Sequence, residues 1–186
     1  MLLIKLKKKY SKMSFIVVDV ESDGPVPGLY SMVNFGAVVV RDGLEDTYYS
    51  GVMKPISDDW IPDSLAVSGY GREDMLNGRD PQEVMKEFND WIKNVCVNKP
   101  ILISDNNQFD GMFMSYYFHK FVGSNPFGWS SRRIGDMFAG IKGDTRAQWK
   151  YLRITKHTHH PLDDAKGNAE VILRLRDEYK LKIKLV

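Results

Sequence analysis

"FIVVDVESDG", residues 15–24, is the stretch on which the fold turns. It reads as a buried strand running into turn-forming residues, yet it carries two carboxylates, Asp19 and Glu21. Side chains two apart on a strand share a face, so both acids point the same way at the C-terminal end of this strand. Repulsion and desolvation raise the pKa of at least one of them unless a cation sits between them, and hard oxygen ligands suit Mg²⁺ or Mn²⁺. A strand end already in water is the alternative, and these two residues alone leave it open.

Working outward, "MVNFGAVVVR" (32–41) and "EDTYYSGVM" (45–53) continue as strands of an antiparallel meander. The link "RDGLE" has a hairpin composition, with Asp42-Gly43 expected to supply the positive φ angles of the turn. "DPQEVMKEFNDWIKNV" (80–95) opens with an Asp cap and a Pro, then places Val84, Phe88, Trp91 and Val95 on one stripe, as a helix packed on a sheet requires. "PILIS" (100–104) is a central strand, "FDGMFMSYYFHKF" (109–121) a helix, 122–135 a loop, 136–141 a short helix, and 161–179 the final helix. Strands first, then alternating helix and strand, predict an α/β chain with a mixed sheet covered by helices.

Further acids fall at the ends of these elements. Asp110 follows the buried strand at the mouth of the next helix, where such sheets gather ligands, although a helix-start acid with a favourable dipole is its plain reading. Asp105 reads as a cap or turn residue. In the last helix, Asp163 shares a stripe with Gly167, Glu170, Arg174 and Asp177, whereas Asp164 aligns with Asn168, Val171 and Leu175 and adjoins Ala165, Ala169 and Ile172. Asp164 is therefore the inward candidate. Just upstream stand His157, His159 and His160. Zinc is disfavoured there, because a tight H-x-H-H run lacks separated partners and the chain has no Cys pair; a histidine beside a carboxylate site, placed to handle a proton, is the alternative.

At 186 residues the chain predicts one compact domain, and 43% hydrophobic with 27% charged residues argues against disorder or a coiled coil. Cys96 is the only cysteine, so no intrachain disulfide can form and a reducing, cytoplasmic compartment is expected. The net charge of +2 includes Lys5, Lys7, Lys8, Lys9 and Lys12; without those five the remainder carries −3, which argues against broad nucleic-acid binding by charge alone. Residues 1–12 read as a basic extension and 13–186 as the domain, and the opening apolar run is too short for a signal peptide or a membrane span.

Taken together, "DVESDG", "NNQFD" and "HHPLDDA" resemble the three motifs of the DEDDh family of 3′–5′ exonucleases, which includes proofreading exonucleases and oligoribonucleases. "DSLAVSGYGREDM" is similar to a segment that members carry between the first two motifs, and the resemblance runs from residue 15 to about 175. It implies an RNase H-like fold, a five-stranded mixed sheet with helices on both sides. It also implies that Asp19, Glu21, Asp110 and Asp164 bind two divalent metal ions, Mg²⁺ or Mn²⁺, with His159, chosen over His160 by the H-x4-D spacing, as general base. Nucleoside 5′-monophosphates would leave the free 3′ end of a nucleic acid, single-stranded by preference, with RNA or DNA left open. Small relatives are often homodimers. The loop 22–31 follows the first motif, so Ser22, Asp23, Gly24, Leu29 or Tyr30 would cradle the terminal nucleotide and Phe109 would contact its sugar or base, against a plain place in the core or on the surface. The chain departs from the family at Asn34, where Glu is frequent, and at Asp105, where His is frequent. A non-catalytic binding module and an RNase H-type endonuclease are the rival readings.

Overall fold

A computed structural model describes residues 14–185; the basic stretch 1–12, and with it the expected boundary at residue 13, lies outside the described residues. In chain order the elements are β1 (Ser14–Ser22), β2 (Met32–Val39), β3 (Thr47–Tyr49), α1 (Pro62–Val67), α2 (Arg72–Leu76), α3 (Pro81–Val95), β4 (Pro100–Ser104), α4 (Asn107–Phe121), β5 (Ser131–Arg133), α5 (Ile134–Lys142) and α6 (Pro161–Asp177). The five strands form one sheet in the order β3-β2-β1-β4-β5. The first three are antiparallel neighbours, while β4 runs parallel to β1 and β5 parallel to β4.

β1 is central because both of its faces are apolar. Ile16, Val18 and Val20 pack with Phe35, Val84, Phe88, Phe113 and Phe118 against α3 and α4. Phe15 and Val17 pack with Ile103, Phe138, Ala165, Ala169 and Ile172 against α5 and α6. Helices therefore cover both faces, and the core is two layers separated by the sheet. Among the described residues no helix is long and apolar enough to cross a membrane.

α3 starts as its sequence dictates: the Asp80 side chain accepts from the N–H groups of Gln82 and Glu83, and Pro81 occupies the first turn. Its buried stripe is Val84, Met85, Phe88 and Ile92; Trp91 and Val95 sit at its margin, half-buried. The hairpin expectation is corrected in detail. The positive φ angles fall on Gly43 (90°) and Leu44 (50°), not on Asp42, because the link runs through a longer loop closed by Val39 N–H donating to Asp46 O at 2.9 Å. β5 lies in the stretch expected to be loop. Ser131, Arg132 and Arg133 carry no apolar pattern, and the strand exists because β4 offers an open parallel edge. α1 and α2 were likewise not marked by periodicity, being too short to show one.

Gly36 on β2 lets α6 approach the sheet. A Cβ there would overlap the backbone of Pro161 and Leu162 at the start of α6. Gly36→Ala is therefore expected to lower stability by about 1–3 kcal/mol through overpacking, read as a drop of several degrees in the thermal midpoint, and to displace Asp164 with the helix.

Candidate active site

Asp19 and Glu21 lie on the α6 face of the sheet because they continue the parity of Phe15 and Val17, where the apolar pattern gives out. The ladder between β1 and β4 ends at Val17↔Ile103, which leaves the N–H of Val20 without a strand partner. Asp110, in the first turn of α4, takes that N–H on Oδ1 at 3.1 Å and the N–H of Asn106 on Oδ2 at 3.3 Å. The carboxylate of α4 is thus pinned to β1 between its two acids.

Asp164 enters from α6 and is 1% exposed, while Asp163 one residue earlier stays at the surface. Helical phase had separated these two, but it placed Gly167 on the polar side; Gly167 is buried, with the Thr155 carbonyl close above it. The segment before α6 is stapled to that helix by Glu170, whose carboxylate accepts from Ile154 N–H at 3.0 Å, Thr155 N–H at 2.7 Å and Thr155 Oγ1 at 2.8 Å. The chain then folds over Asp164: Thr158 N–H donates to Oδ1 at 3.1 Å and His159 N–H to Oδ2 at 3.0 Å. This wrap puts His159 at φ 59°, in the left-handed region.

His157 and His159 face the acids with their rings in edge contact, and His160 does not. His159 Nδ1 lies 4.0 Å from Glu21 Oε1, and His157 Nδ1 lies 2.7 Å from Asp164 Oδ2. His160 turns aside, its ring 4.9 Å from that of Tyr49. Asp105 also leaves the cluster, paired with Lys150 at 2.9 Å.

Oxygens of Asp19, Glu21 and Asp164 lie within 4.8 Å of one another. Such crowding penalises the anions. Burial first, then the neighbouring Asp110, Asp164 and Glu21, push Asp19 well above the usual carboxylate range, with Arg153 opposing. Burial, then Asp164 and Asp110, raise Glu21 to about 7. Burial raises Asp110 to about 7 as well, against the hydrogen bonds of Ser104, Val20 and Asn106. A group of hard oxygen donors that its surroundings hold toward neutrality fits a divalent cation, which would restore the charged forms.

The residues expected to cradle a nucleotide divide. Ser22 Oγ donates to Gly24 O at 2.6 Å and holds the turn. The Tyr30 ring lies against Gly24, leaving no room there for a Cβ, and Leu29 is 60% exposed beside it. Phe109 is half-buried with its ring 5.0 Å from Phe113. The Asp23 side chain is fully buried, accepting from Ser31 N–H and, at 2.9 Å, from Arg72, so both of its oxygens are used within the chain and its backbone is what the loop can offer. The sequence also did not single out Arg153, which sits 4.0 Å from Asp164 Oδ1 and donates to Asn168 Oδ1 at 2.6 Å. Only its burial distinguishes it from the other arginines.

A five-stranded mixed sheet with helices on both faces is the RNase H-like fold. The exonuclease family (RNase_T) matches residues 16–172. The 3′-5′ DNA exonuclease Cap18 of Escherichia coli is 36% identical over 187 residues, covering 94% of this chain and 97% of that protein. The nuclease domain of 3′hExo, a DEDDh family member bound to rAMP, superposes with a TM-score of 0.72 at 17% identity, over 94% of this chain and 97% of that one. Escherichia coli exonuclease I in complex with a dT13 oligonucleotide gives 0.69 at 14% identity, over 89% of this chain and 41% of that one. The chain belongs to the exonuclease family, with a 3′–5′ DNA exonuclease as a full-length relative and enzymes of the DEDDh class among its structural neighbours. Enzymes of this class use divalent metals.

The raised carboxyls have a sign. With Glu21 and Asp110 at about 7 when folded, against ordinary values of 4.5 and 3.8, the native state without metal holds more protons than the unfolded chain between those limits. Metal-free protein should therefore lose stability as pH rises from about 4.5 through about 7, with Asp19, also raised by burial and its neighbours, adding to the loss. Thermal unfolding across that range checks it, and Glu21→Gln together with Asp110→Asn should flatten the profile.

Proposed function

We propose that this enzyme removes nucleoside 5′-monophosphates stepwise from the 3′ end of single-stranded DNA, with two divalent ions held by Asp19, Glu21, Asp110 and Asp164. The convergence of these carboxylates from β1, α4 and α6 carries the reading. When bound, Mg²⁺ or Mn²⁺ supplies activation of the attacking water and stabilisation of charge on the departing 3′ oxygen. The chain's own groups do the rest. His159, half-exposed at the rim of the cluster and facing Glu21, accepts the water's proton. The N–H groups that Thr158 and His159 give to Asp164, and that Val20 gives to Asp110, keep these carboxylates aimed at one point.

The loop 22–31, braced by the Asp23–Arg72 pair and the Tyr30–Gly24 contact, receives the terminal nucleotide, with Leu29 and the backbone of Ser22 to Gly24 against it. DNA is favoured over RNA by the full-length relative named as a DNA exonuclease. Cys96, a free thiol, suits the reducing conditions of a cytoplasm.

A 5′-labelled oligonucleotide with Mg²⁺ or Mn²⁺ should shorten from its 3′ end, DNA faster than matched RNA and single strands faster than duplex. Chelator should stop it, and Asp19→Ala or Asp110→Ala should slow it by at least about a thousandfold. Cleavage that persists when the 3′ end is blocked by phosphate would instead identify an endonuclease. Absence of turnover on every substrate would leave a binding module.

A further inference from the structure

We propose that His157, His159 and Asp164 form a second cation site, selective for Zn²⁺ and similar imidazole-seeking ions, which shares Asp164 with the carboxylate cluster. In the sequence the histidine run lacks a separated partner; the fold supplies one from the first turn of α6. One nitrogen from each ring and one oxygen of Asp164 lie within 4.8 Å of one another. Around a tetrahedral zinc ion such atoms stand about 3.3 Å apart, and two histidines with one carboxylate leave the fourth position to water. The two side chains are 51% and 53% exposed, so they reach solvent and have room to close on an ion. Their rings already meet edge to face with centroids 4.2 Å apart.

The surroundings fit ligation. Asp164 is fixed by the N–H groups of Thr158 and His159 and flanked by Arg153, which is itself held by Asn168. Such outer contacts orient a metal-binding carboxylate. His160 is kept out by its ring contact with Tyr49, so the set is His157, His159 and Asp164.

Selectivity follows from donor type. Asp19, Glu21 and Asp164 offer oxygens alone, which suit Mg²⁺ and Mn²⁺, whereas the second set offers two imidazoles, which suit zinc. A Zn²⁺ ion there occupies Asp164 and His159 together. Inhibition of hydrolysis is the consequence, and it rests on the function proposed above; the binding itself does not.

Equilibrium dialysis of the purified chain with Zn²⁺ alone, in about a hundredfold excess of Mg²⁺, tests the site. One Zn²⁺ should be retained, His157→Ala and His159→Ala should each weaken it by at least about tenfold, and Asp19→Asn should leave it in place. Thermal unfolding of each variant confirms folding, and Zn²⁺ should raise the midpoint of the parent but not of His157→Ala. Zinc retained by His157→Ala and lost from Asp19→Asn would put the ion among the carboxylates and overturn the proposal, as would no retention by the parent. In the nuclease assay, the Zn²⁺ concentration that halves activity should rise about tenfold in His157→Ala relative to that variant's own rate. Zinc bound without inhibition would support the site and count against the proposed roles of His159 and Asp164.

Discussion

Repulsion among carboxylates held out of water at the end of β1 is the constraint that the rest of the molecule answers. Asp19, Glu21, Asp110 and Asp164 meet where the central strand emerges from the core, and burial disfavours the anions of Asp19, Glu21 and Asp110. Nearby groups reduce the penalty without removing it: the N–H of Val20 and Asn106 at Asp110, and the guanidinium of Arg153 at Asp19; Asp164 takes the N–H groups of Thr158 and His159. Apolar residues in these places would cost less. The retained charge marks a place where stability gives way to function.

The two-layer core supplies the rigidity that such a cluster needs. Aromatic packing of Phe35, Tyr48, Phe88 and Trp91 on one face of the sheet holds α3 and fixes β2 and β3. On the other face small residues let α6 sit close: Gly36 on the sheet side, Ala165 and Ala169 on the helix side. That closeness brings Asp164 to β1. A longer side chain at Gly36 would move the fourth acid away from the other three.

The loop from Arg153 to His160 joins the core to the chemistry. It is held at its start by Glu170 and at its end by backbone donation to Asp164, so the histidines project from a short, anchored span. One carboxylate thus faces two kinds of donor, oxygens on the strand side and imidazoles on the loop side. Hard and borderline cations are sorted by that difference.

The sequence by itself determined the central strand with its misplaced acids, the capped α3, β4, and the phase that turns Asp164 inward, because each is written in local periodicity or in a short motif. It did not reveal β5, whose existence depends on the free edge of β4, nor α1 and α2, which are shorter than a readable period. Burial of Asp23 against Arg72 joins residues 49 positions apart, and no local pattern reports such a pair. Spacing selected His159 but said nothing of His157, which reaches Asp164 through the left-handed turn at His159. Tertiary structure alone decided which charges are buried together, since desolvation and repulsion depend on distances across the fold rather than along the chain.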